Sequence, residues 1–304
     1  METEFIAWLR EQLPPHPCLK LGAGDDTALL NLGGPECLIT VDMITDQVDF
    51  HLEQADPASI GRKALAVNLS DIAAMAGRPL AAVVALALPR AGALELAKQI
   101  YLGMLPLAQR YHVAIAGGDT NCWDGPLAIS VTLLGGVSAR GPLRRDGARP
   151  GDWLLVTGEF GGSILGRHFD FDPRVEEALL LNERYELHAG MDVSDGLSLD
   201  VSRLAAASGC GAAIRLDAVP ISRAAEALAA RGLDERSALE HALGDGEDFE
   251  LILAVAPDEA RRMLQDQPLG VPLTAIGEFV AEPGLWQFDA ARGCSPLSPS
   301  GWIH

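Results

Sequence analysis

Six short acidic motifs, each at the edge of an apolar run, constrain this chain more than any other feature. They read Gly-Asp-Asp-Thr at 24–27, Thr-Val-Asp at 40–42, Asn-Leu-Ser-Asp at 68–71, Gly-Gly-Asp-Thr at 117–120, Asp-Val-Ser-Asp-Gly at 192–196 and Gly-Asp-Gly-Glu-Asp at 244–248. Carboxylates beside Gly, Ser and Thr at strand ends suit Mg²⁺, which binds oxygen ligands and shares them with nucleotide phosphates. The pattern therefore indicates an enzyme that handles ATP through Mg²⁺.

The net charge of the chain limits the kinds of partner that it can bind. The 304-residue chain carries 42 acidic and 23 basic side chains, a formal net charge of −19. Such a surface repels nucleic acid and anionic membranes, so we expect neither as a partner. An anionic substrate would also be repelled unless cations screen it, and carboxylates that bind Mg²⁺ would supply that screening.

Cysteine use and hydropathy favour a cytoplasmic protein. The five cysteines are scattered and form no Cys-x-x-Cys pair, so neither a disulfide framework nor a zinc site is indicated. The N-terminal residues lack the basic region and apolar core of a signal peptide. The most apolar stretch, 80–88, is far shorter than the roughly 20 residues that span a bilayer.

Apolar periodicity and the positions of Gly and Pro predict the secondary structure. Helices are predicted at 3–13, 57–77, 92–110, 173–182, 197–208, 222–231 and 257–265. Strands are predicted at 27–32, 37–42, 80–88, 113–116, 127–134, 153–157, 212–216, 249–255 and 272–278, with a turn at Gly117-Gly118. The Gly-, Pro- and Arg-rich stretch 135–151 predicts a domain junction, which divides the chain into 1–140 and 141–304.

Two of the acidic motifs are more specific than the others. Asn68 and Asp71 lie three residues apart in an otherwise apolar helix, where an aspartate is costly unless it is paired or bound to metal. This favours a functional site over a solvated stripe. Asp192 and Ser194 share one face at the end of a strand, while Asp195 is placed to cap the next helix. Capping explains one aspartate, but not two aspartates and a serine.

The remaining motifs each leave an alternative open. The aspartates at 25 and 26 fit a metal site or a capped turn, and the loop 244–248 fits substrate or metal contact or a solvated turn. The glycines at 117–118 and 158–162 could present backbone N–H groups to phosphate. Arg144 and Arg145 fit either phosphate binding or a solvated linker.

Taken in order, these motifs resemble those of the thiamine-monophosphate kinases, in the superfamily of aminoimidazole ribonucleotide synthase and selenophosphate synthetase. The resemblance covers nearly the whole chain and includes GAGDDTALL, LITVDMITD, KALAVNLSDIAAMAG, AIAGGDT, RRDGARPGDWLLVTG, MDVSDGLSLD, GDGEDFEL and SGWIH. It implies an α+β N-terminal domain that binds ATP and Mg²⁺ and uses a mixed or antiparallel sheet for dimerisation. It also implies an α/β C-terminal domain that completes the active-site cleft.

The resemblance implies a role for particular residues. Metal ligands for several Mg²⁺ ions would be Asp26, Thr40, Asp42, Asp71, Asp119, Asp192 and Asp195. Nucleotide would be bound by Tyr101, Gly118, Asp119, Arg145 and Ser194. Asp71, Asp195 and Arg145 would be catalytic, and Asp49, Glu247 and Trp302 would face thiamine monophosphate. The implied reaction is direct in-line phosphorylation of thiamine monophosphate to thiamine diphosphate by ATP in a homodimer.

Three departures from the family pattern keep other readings open. The family has His immediately before the Phe of the segment that follows Thr-Val-Asp, where this chain has Asp49 and carries His51 beyond Phe50. The usual Gly-Gly-Glu-Asp begins with Asp245, and the stretch between Gly162 and His168 is short for the family. One alternative is an enzyme that phosphorylates or activates a different small molecule on this fold. Another is a nucleotide-binding dimer without turnover.

Overall fold

A computed structural model describes residues 17–303, apart from 22–24, 32, 233 and 290–292. The helix predicted at 3–13 lies outside the described residues. The first elements are β1 (Leu19–Leu21), β2 (Ala28–Asn31), β3 (Glu36–Thr45), α1 (Pro57–Ala74), β4 (Arg78–Pro89), α2 (Ala93–Arg110), β5 (Ala114–Trp123) and β6 (Ala128–Gly136). They form a six-stranded sheet in the order β1-β2-β3-β6-β4-β5, mixed because β4 and β5 run parallel.

Helix α1 forms because its ends are well defined and its middle is apolar. The Asp56 carboxylate accepts a hydrogen bond from the Ser59 N–H, and Pro57 occupies the first turn, where its missing N–H costs nothing. The helix ends as Ala76 enters the left-handed region at φ +49°. Most of its side chains are buried, and α1 packs against α2 and the sheet. It therefore carries its few polar residues into the interior.

The prediction of a turn at Gly117-Gly118 is wrong. Both glycines lie inside β5, which pairs in parallel with β4 as far as Trp123, after a register shift at Ala82 and Val83. A Cβ on Gly118 would lie 1.8 Å from the Val84 carbonyl oxygen, so this glycine permits close backbone contact between the strands. Pairing with β4 overrides the local tendency of two glycines to break a strand.

The second sheet has seven strands in the order β13-β12-β9-β11-β7-β10-β8. The elements are β7 (Trp153–Thr157), α3 (Arg167–Asp170), α4 (Val175–Arg184), β8 (Leu187–Asp192), α5 (Leu197–Ala207), β9 (Gly211–Arg215), α6 (Arg223–Arg231), α7 (Ala238–Gly244), β10 (Leu251–Val255), α8 (Pro257–Asp266), β11 (Leu273–Val280), β12 (Gly284–Asp289) and β13 (Gly293–Pro296). Only β9 and β12 are parallel among these pairs of described strands. Two mixed sheets with flanking helices confirm the predicted fold class.

Most other element predictions agree with the structure to within a few residues, and the short elements were missed. The pattern did not predict β1, α3, α7, β12 or β13. For α7 a signal exists, because Ser237 and Glu240 form a capping box in which each side chain accepts a hydrogen bond from the other residue's backbone N–H. None of the described helices is long and apolar enough to cross a membrane.

Candidate active site

Three carboxylates from distant parts of the chain meet between the two sheets. Asp26 lies just before β2, Asp71 is in α1, and Asp192 ends β8. Each offers an oxygen within 4.8 Å of the others. We call Asp26, Asp71 and Asp192 the acid cluster. The sequence placed all three in one metal cage by resemblance, and the fold brings them together.

Two hydroxyl groups and one arginine donate hydrogen bonds to the carboxylates of the acid cluster. The Thr40 hydroxyl donates a short hydrogen bond to Asp71, and the Ser70 hydroxyl donates to Asp192 at 2.5 Å. Arg145 donates to both carboxylate oxygens of Asp26, from Nε at 2.8 Å and Nη2 at 2.5 Å. Within the part of the chain that the structure describes, Arg145 is the cation that forms an ion pair with this cluster. Three carboxylates therefore share one positive charge.

Burial and the crowding of negative charge raise the proton affinity of two carboxylates in the acid cluster. Burial, followed by the nearby carboxylates of Asp42, Asp192 and Asp26, raises the pKa of Asp71 well above its usual value. Burial and the Asp26 charge raise the pKa of Asp192 in the same way. A cation placed among these groups would offset both causes. The donors are hard oxygens at the right mutual distance, so the acid cluster fits Mg²⁺.

Asn68 ties β3 to the same helix face as Asp71. Its Oδ1 accepts a hydrogen bond from the Asp42 N–H at 3.2 Å, and its Nδ2 donates to the Ala64 carbonyl at 3.1 Å. Asn68 is fully buried. The pairing of Asn68 and Asp71 on one helix face therefore has two results: Asp71 joins the acid cluster, and Asn68 fixes the backbone of Asp42 beside it.

A cavity of about 670 Å³ lies beside the acid cluster, although Asp26, Asp71 and Asp192 are not themselves part of its lining. Its lining includes Asp42, Ser194 and Asp195 from the predicted metal and nucleotide set. It also includes all three predicted substrate residues, Asp49, Glu247 and Trp302. The fold thus brings residues predicted for metal, nucleotide and acceptor to one open space.

Three predicted nucleotide residues lie elsewhere in the single chain. Tyr101 is on α2, and Gly118 and Asp119 are on the edge strand β5; none of them lines the described cavity. Asp119 is exposed and is not among the carboxylates that converge within 4.8 Å. Within this chain, Tyr101, Gly118 and Asp119 therefore belong neither to the acid cluster nor to the cavity lining.

Asp195 does not cap α5 with its side chain. Its carboxylate forms a short ion pair with Arg203, and the Trp302 N–H donates to its carbonyl at 2.8 Å. Asp200 instead accepts hydrogen bonds from the N–H groups of Asp195 and Gly196, at 2.9 and 3.1 Å. Asp195 also belongs to the lining of the cavity.

The acids that follow α7 have partners of their own. Asp245 accepts hydrogen bonds from Arg236 Nη1 and from the Gly162 N–H, both at 2.8 Å, and lies 3.0 Å from His241 Nδ1. The Gly161 N–H donates to Asp248 at 2.9 Å. The expectation that the glycine turn at 158–162 binds phosphate is therefore wrong, since its N–H groups at 161 and 162 already bind carboxylates. We call Asp245, Glu247, Asp248 and Glu250 the loop acids.

The residues that depart from the family pattern form hydrogen bonds with neighbouring residues in the structure. The Asp49 carboxylate accepts hydrogen bonds from the Thr45 N–H at 2.6 Å and from its hydroxyl at 3.3 Å. The short stretch after Gly162 forms a 3₁₀ turn, and the Ser163 hydroxyl donates to the Gly246 carbonyl at 2.8 Å. These contacts, like those of Asp245, stabilise the loops around the cavity.

Lys63 is a residue of this region that the sequence analysis missed. Its side chain is fully buried in α1, and Nζ lies 2.5 Å from the Glu247 carboxylate. In the sequence, Lys63 is followed by a long apolar run. An exposed lysine in the first turns of a helix would give the same pattern, so the sequence does not indicate that Lys63 is buried. Its burial becomes evident only when the loop after α7 folds against the helix.

Comparison with known proteins identifies the family to which the chain belongs. Residues 24–137 match the family description "AIR synthase related protein, N-terminal domain", and residues 135–285 match the corresponding C-terminal domain. The thiamine-monophosphate kinase of Rhodopirellula baltica is 46% identical, over all of this chain and 97% of that protein. That of Escherichia coli K12 is 36% identical over 87% of this chain and 85% of its own.

Solved structures agree in fold. A structure of AaThiL complexed with AMPPCP and TMP superposes with a TM-score of 0.86 at 26% identity, covering all of this chain and 96% of that one. The thiamine-monophosphate kinase of Stenotrophomonas maltophilia K279a gives a TM-score of 0.74 at 33% identity, with 93% and 94% covered. The E. coli hydrogenase maturation protein HypE shares the fold, with a TM-score of 0.73 at 21% identity and 98% of both chains covered.

Proposed function

The chain belongs to the AIR synthase related family and, within it, to the thiamine-monophosphate kinases, and we propose that the acid cluster and its cavity are the active site. It is a kinase that transfers phosphate from ATP to thiamine monophosphate to give thiamine diphosphate. The names of its relatives do not favour a different acceptor. The observation that supports the site most strongly is the convergence of Asp26, Asp71 and Asp192 beside a cavity lined by the predicted substrate residues.

Mg²⁺ would be held by the acid cluster together with Asp42 and Asp195, and by Asp119 from β5. Thr40 is placed to orient Asp71, to which its hydroxyl donates. When bound, Mg²⁺ would neutralise the charge of the ATP phosphates. Arg145 uses Nε and Nη2 on Asp26, and its remaining donors would bind phosphate oxygens. Ser194, with Gly118 and Tyr101, would contact the nucleotide.

The acceptor would occupy the part of the cavity lined by Glu247, Trp302 and Asp49. A carboxylate and an aromatic plane suit the flat, cationic thiamine rings. The nucleophile is an oxygen of the acceptor phosphate, which is already ionised near neutral pH, so no strong base is required. It forms a bond to the γ-phosphorus while the bond from that phosphorus to the β,γ-bridging oxygen breaks, and ADP leaves. The protein would act by positioning and charge neutralisation.

A homodimer would complete the site. The outer face of the first sheet exposes apolar side chains in register across its strands: Val41 and Val83 both face Thr132, at 60% and 45% exposure. Met43, which neighbours Val41 on the same strand face, is also exposed. An apolar sheet face of this kind is typical of a protein interface. A second copy there would bring its own edge strand β5 towards the cavity.

Two further properties belong to the proposal. We place the division between the nucleotide- and metal-binding domain, 1–140, and the domain that completes the cleft, 141–304, in the stretch that follows β6. We also propose a cytoplasmic location, which agrees with the absence of paired Cys-x-x-Cys motifs in the sequence.

The test is a product assay with two acceptors. The purified protein is incubated with ATP, Mg²⁺ and either thiamine monophosphate or thiamine, and products are separated by chromatography. We expect equal amounts of ADP and thiamine diphosphate from the monophosphate, loss of both on adding EDTA, and no phosphorylation of thiamine. ADP without thiamine diphosphate, or phosphorylation of thiamine itself, would contradict the proposal.

A further inference from the structure

Lys63 connects two segments that wall the cavity. Its Nζ lies 2.5 Å from Glu247 Oε1 and donates to the Asp49 carbonyl at 2.9 Å. The same Nζ lies 5.6 Å from the centre of the Phe169 ring. A buried ammonium is costly unless it is paired and hydrogen-bonded, and these partners supply both. The contacts explain why a lysine can occupy a fully enclosed position in α1.

The two polar partners come from different loops. Asp49 belongs to the segment between β3 and α1, and Glu247 to the segment between α7 and β10. Both residues line the cavity, whereas Lys63 does not. Lys63 therefore lies behind the cavity wall and holds two of its parts together from the protein interior.

Glu247 needs such a restraint. Its backbone is in the left-handed region at φ +53°, which is uncommon for a residue other than Gly. The preceding Gly246 has φ +75°, and a Cβ there would lie 2.8 Å from the Ser194 carbonyl oxygen. The Glu247 N–H donates to that same carbonyl at 2.7 Å. The Glu247 side chain is 33% exposed, so without its ion pair it would sample several rotamers in solvent.

We propose that Lys63 is a positioning residue for thiamine monophosphate. It fixes the Glu247 carboxylate and the backbone at Asp49, so that this part of the cavity is already in its binding conformation before the acceptor arrives. Lys63 acts through these partners and does not contact the acceptor. The inference rests on the proposed function of the cavity.

The first test is Lys63→Met, which keeps a long unbranched side chain, one atom shorter, and removes the charge. Losing an interaction that helps to bind ground state and transition state equally raises KM and leaves kcat unchanged. We expect the KM for thiamine monophosphate to rise about tenfold or more, with kcat and the KM for ATP changed by less than about twofold. If Lys63 only stabilised the fold, its loss would not raise the KM for thiamine monophosphate while leaving the KM for ATP unchanged.

Arg62→Met is the matched control. Arg62 is the neighbouring cation on α1, and it pairs with Asp172 and the Phe169 carbonyl instead of a cavity residue. We expect no change in either KM. The double variant Lys63→Met/Glu247→Gln should have the same KM for thiamine monophosphate as the more impaired single variant, because the two residues act as one unit.

Lys63→Gln keeps the test decisive if Lys63→Met fails to fold, as judged by circular dichroism. Gln retains a donor for the Asp49 carbonyl, and we expect the same selective rise in KM for thiamine monophosphate. An unchanged KM for thiamine monophosphate, or a fall in kcat with both substrates saturating that accounts for the whole fall in kcat/KM, would overturn the role of Lys63. A wild-type protein that forms no thiamine diphosphate would instead contradict the proposed function.

Discussion

The acid cluster and the loop acids consist of the same residue types and differ in their counter-charges. In the acid cluster, three carboxylates share Arg145, and two of them are held by the hydroxyls of Thr40 and Ser70. Among the loop acids, Glu247 pairs with Lys63, Asp245 with Arg236, and Glu250 with both Arg167 and Arg174. The acid cluster is crowded with negative charge, whereas each loop acid except Asp248, which accepts a hydrogen bond from the Gly161 N–H, has a cation of its own.

This difference separates two uses of acidic motifs that look alike in sequence. Buried carboxylates that raise one another's pKa are stable in ionised form only beside a cation. Carboxylates with their own basic or N–H partners are already compensated, and they can hold loops in place or present one oxygen to a ligand. The acid cluster therefore fits metal binding, and the loop acids fit construction of the acceptor site.

Asp71→Asn should have the largest effect. Removing one charge from the acid cluster removes a metal ligand and weakens neutralisation of the phosphates, so we expect kcat to fall by about 10³-fold or more. The fold should persist, because an amide relieves the crowding. Asp172→Asn, which changes an exposed acid paired with Arg62 and Arg110, is the control. Near-normal turnover by Asp71→Asn would remove it from the catalytic site.

Glu247→Gln should affect acceptor binding alone. The amide keeps the shape of the side chain but loses the charged oxygen, so we expect the KM for thiamine monophosphate to rise about tenfold. The Mg²⁺ concentration for half-maximal rate should not change. Steady-state kinetics with each substrate varied in turn checks both statements. A shift in Mg²⁺ dependence would mean that the loop acids share the metal site.

Asp248→Asn should change the pH dependence of stability. Burial raises the pKa of Asp248 to about 8, and one of its oxygens has no hydrogen-bond partner among the described residues. Because the folded state holds this proton more tightly than the unfolded state does, Asp248 makes the free energy of unfolding decrease as pH rises from about 4 to 8. Asn cannot ionise.

Chemical denaturation of both proteins at several pH values measures the effect. We expect the wild-type free energy of unfolding to decline more steeply over that range than that of the variant, by about 1 kcal/mol or more. Parallel curves would show that Asp248 ionises in the folded protein as easily as in the unfolded one.

Asp245→Gly should have the smallest effect on catalysis. The added charge at this position is compensated by Arg236 and the Gly162 N–H, so its removal should leave the KM for thiamine monophosphate within about twofold. Loss of the partly buried hydrogen bond from the Gly162 N–H should lower the free energy of unfolding by about 1 kcal/mol. A large change in acceptor preference would show that Asp245 contacts the acceptor directly.

The sequence was most informative where local pattern and tertiary environment agree. Helix 92–110 and strand 80–88 were predicted nearly to the residue, as α2 and β4, because their apolar periodicity matches their burial. The turn predicted at Gly117-Gly118 was wrong because the contact with Val84 depends on a distant strand. Short strands such as β12 carry too little pattern to be recognised alone.

For the site, residue types were predictable and their partners were not. Asn68 and Asp71 could be paired from helix geometry, and their environment bears this out. The motifs do not show which carboxylates share a cation and which have a cation of their own. Lys63 and Arg145 lie far along the chain from the acids they bind, so these pairs depend on the tertiary fold. Lys63 in particular became visible only as a contact of the folded protein.

The most direct measurement is the number of metal ions bound to each variant. Mn²⁺ replaces Mg²⁺ at oxygen sites and is counted by electron paramagnetic resonance, here in the presence of AMPPCP. We predict that Asp71→Asn binds fewer ions per chain than wild type, and that Asp248→Asn and Asp245→Gly bind the full number. Equal binding by all four proteins, or loss of ions on changing a loop acid, would contradict the assignment of the acid cluster as the metal site.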